Sequence, residues 1–567
     1  MTSISQPGVQ NEVPYGKRLL PTVLAEIAKN DPNRVFSSIA RTSKIGDGFR
    51  EVTYEEFVRS TNRAAMWLED LFGRSSSFET LGYIGLFDLR YYIMVLAANK
   101  VGFKLLLPSP RDSVEAQLNL LRLTSAKAII TSRGYPVDLL PKASLPVEFA
   151  PELDDLLAKG EVRDYPYTKS FEEGRFDPWM VLQTSGSTGL PKPVILTQGW
   201  FAALDSYNHS ALLDGMPAMP LMKRNKKICG IMPTFGVSHP TVMESEFQEI
   251  NPRKAAGVIL GLCAPVCFNA HFVWAPAARP FNAALVDEML EVVDANICFL
   301  PPSIINELAR SASSRAKLEK LEVLGFGGGP LSRQAGNSLC HSTYILNAMG
   351  STELCALPAY KTAPEDWQYL HYSPHHKGIE FRPVGDGLYE MVIVRHPSTD
   401  PYHAAWYSFP DKKEHSTSDL FTKHPSKPNH WLYAGRAEDL IVLSNGKTLN
   451  PTSMEATISE HLSVQGVLVI GQGQSTSAAI IELRESAAAT INTAEARAQV
   501  IDELWLYIAK ANKDTPSHAQ LARDKVVLST PGKLFLRAGK GTIQRPATRK
   551  AYSDEIEQLY KRGEEGK

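Results

Sequence analysis

The chain has 567 residues, with 60 Lys and Arg against 61 Asp and Glu for a net charge of −1. That balance argues against a nucleic-acid binder that works by counterion release, and 43% hydrophobic residues with 38 Gly and 38 Pro exclude a disordered or collagen-like chain. At roughly 150 residues per domain the length suggests three or four folding units, fewer where an α/β domain runs long.

Met1 to Arg18 is polar and lacks the apolar core of a secretory signal. Tyr54 to Leu71 carries apolar residues at helical spacing. Leu81 to Leu86 reads as a buried strand, Tyr92 to Val101 as the helix after it, and Ala128 to Ile130 as another strand. The pattern recurs at Ile228–Met232, Ile297–Leu300 and Val323–Phe326, so the sequence predicts mostly parallel sheets faced by helices. The basic run Lys223, Arg224, Lys226, Lys227 reads as a solvated loop. Ala255 to Ala278 has no charge, but Pro265, Asn269, His271 and Pro276 interrupt a spanning helix. A buried helix followed by a strand at Phe272–Trp274 is predicted instead, in a soluble cytoplasmic protein with no membrane partner. Cys229, Cys263, Cys267, Cys298, Cys340 and Cys355 lack the paired spacing of a zinc site and read as buried apolar residues. After about residue 438 short apolar runs (Leu440–Leu443, Val467–Ile470, Ala478–Leu483) and a charged helix through Ile508 mark a small α+β unit. The division predicted is 1–437 and 438–567, with a surface helix near Ala551 to Gly566.

The strongest local signal runs from Met180 to Lys192. An apolar strand leads into Thr184, Ser185, Gly186, Ser187, Thr188 and Gly189, followed by Lys192. Glycines let backbone N–H groups converge on an anion, hydroxyls add donors, and the lysine adds charge. This equipment suits a triphosphate. It is not the G-x-x-x-x-G-K-[ST] loop, because Gly186 and Gly189 are too close; Gly446-Lys447-Thr448 has that ending, but Ile441 occupies the first glycine position. Gly325-Phe326-Gly327-Gly328-Gly329 lacks the spacing of a dinucleotide fingerprint.

With this loop the sequence resembles the adenylate-forming superfamily of acyl-CoA synthetases, luciferases and peptide-synthetase adenylation domains. Further motifs follow in the family's order: Gly327-Gly328-Gly329-Pro330-Leu331, Asn347-Ala348-Met349-Gly350-Ser351-Thr352-Glu353, Thr417-Ser418-Asp419, Gly435-Arg436-Ala437-Glu438-Asp439 and Gly541-Thr542-Ile543-Gln544-Arg545. Tyr15 to Leu20, Ser109-Pro110-Arg111 and Leu443 to Gly446 are similar to fungal peptide-synthetase-like carboxylic acid reductases. The resemblance implies an α/β fold: a large N-terminal adenylation domain of stacked, mostly parallel sheets and helices, and a small mobile C-terminal α+β domain.

It also implies roles. Thr184 to Gly189 and Lys192 would hold the β- and γ-phosphates of ATP, and Thr352 the α-phosphate. Gly328, Gly329, Pro330, Asn347, Met349, Gly350 and Ser351 would line the adenosine. Glu353 would ligate Mg²⁺; alone, it would read as an acid at a helix N-terminus. Asp419 would accept the ribose hydroxyls, its alternative being a turn or cap aspartate. Arg436 would contact ribose or phosphate, its alternative being a surface ion pair. Glu438 would mark the hinge between adenylation and thioester formation. Three departures stand out. Thr542 replaces the terminal lysine, leaving Lys540, or less well Lys533, to supply that charge. Pro233-Thr234-Phe235-Gly236 replaces a Phe-His segment, with His239 three residues on. Met349 replaces a tyrosine, and a thioether accepts no more than weak hydrogen bonds.

No acid lies between Pro233 and Val242 to pair an α-ammonium, so the expected substrate is a carboxylic acid without a free amino group. It would sit near Phe235, Gly236, His239, Phe326, Met349 and Leu354. An aromatic acid is expected, with a quaternary-ammonium acid as the rival. The acceptor expected is the phosphopantetheine thiol of a carrier domain feeding a reductase, in cis or in trans. Free CoA as acceptor is one alternative, and a degenerate nucleotide-binding module is another.

Overall fold

A parallel strand covered by helices on both faces has no solvent side, so it reads as an unbroken apolar run. Thr80–Ile84 is such a strand, buried along its whole length. The computed structural model describes residues 14–86, 88–109, 112–135, 138–185, 190–208, 227–230, 255–373, 377–489, 491, 493–513, 515–530, 532–537 and 543–561. Among these, one six-stranded sheet runs in the order Val147–Phe149, Ala128–Thr131, Thr80–Ile84, Lys104–Leu106, Pro178–Ser185, Pro191–Thr197. It is parallel except for its last pair. A seven-stranded sheet runs Tyr344–Ala348, Val323–Gly327, Ile297–Phe299, Lys227–Gly230, His271–Val273, Val35–Ala40, Phe49–Thr53, again parallel up to one antiparallel edge.

A shared core joins the two sheets through the helices Tyr54–Phe72, Arg90–Val101 and Gln198–Asp205. The first of these starts where its sequence says it should. Thr53 accepts from the Glu56 N–H at 3.2 Å while the Glu56 carboxylate accepts from the Thr53 N–H at 3.1 Å, a reciprocal cap of the kind worth about 1 kcal/mol. The uncharged stretch after Ala255 is a buried helical segment with a π turn at Ile259–Cys263 ahead of Pro265. It ends at Asn269, whose φ is +52°, and leads into the strand His271–Val273. No described helix is long and apolar enough to cross a membrane. Cys263, Cys267, Cys298, Cys340 and Cys355 are buried free thiols.

The region from 369 to 436 departs from the parallel pattern. It forms a fully antiparallel sheet in the order Tyr369–His371, His430–Arg436, Glu414–Lys423, Leu388–Val394, Ile379–Gly385. The sheet curls: Phe381 stacks on Trp431 at 3.8 Å and 9° although two strands separate theirs in the sheet order.

Beyond residue 440 the molecule has its own apolar cores, built from residues between Ile441 and Leu559. They pack the helices Pro451–Ile458 and Ala494–Lys513 and the segment through Ser553–Lys561 on a three-stranded sheet of Val464–Ile470, Ala478–Leu483 and Val526–Leu528. The Leu440–Leu443 run is shorter as a strand than its sequence suggests. A 3₁₀ turn at Ala437–Asp439 precedes Ile441–Val442, which pairs with Thr448–Leu449. The architecture is thus a large N-terminal α/β domain and a small C-terminal domain.

Candidate functional site

The glycine-and-hydroxyl loop joins two antiparallel strands, with Thr184 opposite Lys192 and Ser185 opposite Pro191. Gly186, Ser187, Thr188 and Gly189 lie outside the described residues. A strand–loop–strand hairpin places the lysine across from the entering hydroxyls, unlike a loop that runs straight into a helix. Behind it, Gln183 donates to the Asp112 carboxylate.

The hairpin strand continues into the helix Gln198–Asp205, and that helix reaches the second motif. Trp200 Nε1 donates to the Thr352 carbonyl at 3.0 Å. Tyr207, just beyond the helix, donates to the Ala356 carbonyl at 2.6 Å. From a third direction Ser408 Oγ donates to the Glu353 carbonyl at 2.9 Å. The segment also holds itself: Gly350 pairs with Ala356, Ser351 Oγ accepts from the Leu354 N–H at 3.2 Å, and Met349 O accepts from the Leu357 N–H at 2.8 Å. A Cβ on Gly350 would lie 2.1 Å from the Cys355 carbonyl oxygen, so this turn tolerates only glycine there. Thr352 is buried and Glu353 half-buried in a three-residue turn with no helix after it, which removes the helix-terminus explanation for Glu353.

Gly328 (φ +80°) and Gly329 to Leu331 leave the carboxyl end of Val323–Gly327, beside the strand that ends at Ala348. Ligands of open parallel sheets gather outside these strand ends. Asn347 is turned to the Gln368 carbonyl at 3.0 Å and Met349 packs under the antiparallel sheet. Phe326 and Leu354, expected near the acid, are core residues. Phe326 alternates to the face opposite Gly325 and Gly327 and packs against Trp367 at 6.3 Å, and Leu354 fills the core beneath the curled sheet. Strand alternation explains the first difference, since neighbours along a strand face opposite ways. Phe235, Gly236, His239, Lys540 and Thr542 lie outside the described residues.

Asp419 sits within the strand Glu414–Lys423, 8% exposed, and pairs across the ladder with Arg436. It is neither a turn nor a cap residue. Its backbone N–H donates to Thr417 Oγ1 at 3.0 Å, and Thr417 donates to the Met391 carbonyl. Ser418 between them has φ +57°, the region that favours the glycine of the family's motif. Arg436 Nε lies 3.5 Å from the Asp419 carboxylate, and its guanidinium is 3.8 Å from Glu438. Burial, and then Asp419, push the Tyr433 hydroxyl up, so it stays protonated as a donor beside that carboxylate. Glu438 is exposed in the 3₁₀ turn. Lys533 is engaged with Glu555 at 2.5 Å.

Among the described residues no group of three or more His, Cys, Asp or Glu could cage a metal. A Mg²⁺ held mainly by phosphate oxygens needs no cage; one carboxylate such as Glu353, on a backbone fixed by Ser408, fits that coordination. Sequence reasoning missed Trp200, Tyr207, Ser408 and Tyr433. Trp200, Tyr207 and Ser408 bond partners 152, 149 and 55 residues away, and Tyr433 meets Asp419 across the strand ladder, so no local pattern announces them.

Comparison with known proteins agrees with this geometry. Residues 24–241 match the AMP-binding enzyme family and 438–564 the AMP-binding enzyme C-terminal domain. A carboxylic acid reductase of Neurospora crassa is 36% identical over 98% of this chain and 52% of its own length. A benzoate CoA ligase from Burkholderia xenovorans has the same fold at a TM-score of 0.67 and 17% identity, over 94% of this chain and all of that one. So does the Bacillus subtilis o-succinylbenzoate CoA synthetase bound to ATP and magnesium, at 0.65 and 16%, over 93% and 99%. The chain spans about half or less of the curated relatives it matches. With its motifs in family order, both family models matched and a large α/β domain followed by a small C-terminal domain, the chain belongs to the adenylate-forming superfamily and is an adenylation domain like that of carboxylic acid reductases.

Proposed function

We propose that this chain joins a carboxylic acid to the α-phosphate of ATP, releasing pyrophosphate, and passes the acyl group to a phosphopantetheine thiol on a carrier domain for reduction. The observation that supports it most is the convergence on one turn. The Thr352 carbonyl accepts from the Trp200 side chain, on the chain leaving the phosphate hairpin, and the Glu353 carbonyl accepts from the Ser408 side chain. The reaction brings two anions together and builds charge on the phosphorus oxygens. Fixed donors and cations at that point lower the barrier because they need no reorganisation.

The hairpin would hold the β- and γ-phosphates, with Lys192 opposite Thr184. Asp419 would accept the ribose hydroxyls, with Tyr433 and Arg436 beside the carboxylate to aim it. Glu353 would hold Mg²⁺, which supplies charge neutralisation on the phosphates. Lys540 would reach the carboxylate and α-phosphate from the small domain, turning about Glu438, with the boundary at 437/438. The acid is aromatic and carries no α-amino group, as the lack of an acid between Pro233 and Val242 supports.

A panel of acids with ATP, trapping acyl-AMP with hydroxylamine, tests the first step. Hydroxamate with aromatic acids and none with α-amino acids is expected; no hydroxamate with any acid refutes the reading. Offering free CoA against a phosphopantetheinylated carrier then decides the acceptor. Lys540→Ala should lower hydroxamate formation by about 10²–10³-fold, while Lys533→Ala should change it by less than about threefold. Equal activity of the two variants removes Lys540 from the site.

A further inference from the structure

Arg545 closes the terminal motif and opens the helix Arg545–Ala551, yet its guanidinium reaches back about a hundred residues to two carboxylates. Nη2 donates to Glu455, and Nε lies 3.3 Å from Asp439. Asp439 belongs to the 3₁₀ turn directly after Glu438. Glu455 projects from Pro451–Ile458, and its second oxygen accepts the Val469 N–H at 2.7 Å from the strand Val464–Ile470. Its side chain is 14% exposed. One guanidinium therefore joins the hinge turn, the first helix of the small domain and the terminal motif.

We propose that Glu455 is a positioning residue for adenylation: acting through Arg545, it fixes the terminal motif against the hinge turn. This rests on the adenylation reading above. A carboxylate that merely filled space would need neither the guanidinium nor the hinge acid. Here two acids share one cation, so the ionisation of Glu455 decides how firmly Arg545 is held.

Burial pushes the Glu455 carboxyl up to about 7; Arg545 and the Val469 N–H oppose that rise, and Asp439 adds to it. Arg545 and Asp439 are the charges that act most on Glu455. On the helix Ala494–Lys513, which packs on Pro451–Ile458, Lys510 pairs with Glu460 and Asp502 with Arg523. On the strand His430–Arg436, Arg436 faces Asp419 and Glu438, and Val464–Ile470 carries no titratable side chain. Above pH 7 the ionised carboxylate grips Arg545; below it the neutral acid holds the guanidinium more weakly. Stability runs the other way. Between the ordinary value of 4.5 and about 7 the folded chain holds a proton that the unfolded chain has lost, so the contribution of Glu455 to stability falls as pH rises through that window. Opposite pH trends in turnover and stability from one residue are a signature that packing alone does not produce.

The test measures hydroxamate formation, the two KM values and thermal melting from about pH 5.5 to about pH 8.5, in the full chain and in Glu455→Gln, Glu455→Asp and Arg545→Lys. The wild-type kcat should rise through a limb near pH 7. Glu455→Gln should lose that limb, with kcat at the upper plateau about 10–100-fold lower and KM for ATP and acid nearly unchanged. Its melting temperature should also lose the decline between low and neutral pH. Glu455→Asp should restore part of kcat. Arg545→Lys should reproduce the loss, and it decides the question if the Gln variant does not fold. Wild-type kcat and an intact limb in the folded Gln variant, or in Arg545→Lys in its place, overturn the proposal. If the wild type itself makes no hydroxamate, the adenylation reading fails instead. Glu455 is then judged by hydrogen exchange of Arg545–Ala551 at pH 8 or above: faster exchange in the Gln variant supports positioning, and equal exchange refutes it.

Discussion

The two halves of the site are held by different forces. On the large domain the Thr352–Glu353 turn is pinned by neutral donors (Trp200, Tyr207 and Ser408), each bonding a backbone carbonyl. On the small domain the terminal segment is held by charge: Arg537 on Glu482, Lys533 on Glu555, and Arg545 on Glu455 and Asp439. Neutral buried bonds neither titrate between pH 5 and 9 nor feel salt, so they suit a surface that must meet the nucleotide the same way every time. Ion pairs respond to pH, to solvent and to movement, as suits a segment proposed above to change partners between adenylation and transfer.

The sharpest way to break this contrast is to remove the cation of a buried carboxylate. Glu482 is 1% exposed, and one carboxylate oxygen also accepts the Phe535 N–H at 2.7 Å. Arg537→Gln leaves that carboxylate buried without its cation. Such a loss costs about 3–5 kcal/mol, and the transition that carries the small domain should move down in a calorimetric scan. A scan unchanged from wild type would show that charge does not organise this segment.

The next test sharpens the nucleotide side. Asp419→Ala removes the acceptor proposed for the ribose while its strand partner Arg436 remains. Hydrogen bonds to a charged group contribute about 1.5–3 kcal/mol, so KM for ATP should rise by about 10–100-fold with a smaller change in kcat. Unchanged ATP dependence would make Asp419 a residue of the sheet alone.

These forces also explain what could be read from the sequence. Motif order, the strand entering the glycine-and-hydroxyl loop and the parallel strands were legible because their chemistry is local: apolar runs, glycines and hydroxyls in a row. The antiparallel sheet was not. Its strand Glu414–Lys423 is polar along most of its length, and its buried face is made by curling and by Phe381 meeting Trp431 across the sheet. Phe326 was expected near the acid, whereas the pleat turns it into the core against Trp367. No sequence pattern marks Glu455, since its guanidinium partner lies 90 residues away.

The smallest expected effect is also the cleanest separation of the two regimes. Tyr207 is 2% exposed and donates to the Ala356 carbonyl at 2.6 Å. Tyr207→Phe removes one oxygen, keeps the ring and leaves a buried carbonyl short of its donor. The cost is about 1–3 kcal/mol, read as a lower melting temperature, with kcat falling several-fold as the turn loosens. Because no charge is lost, the deficit should be the same at low and high salt and at every pH where the wild type is folded. A salt- or pH-dependent deficit would mean that the turn is held through ionised groups after all, and the distinction between a neutral large-domain turn and a charged small-domain segment would fail at its best-defined contact.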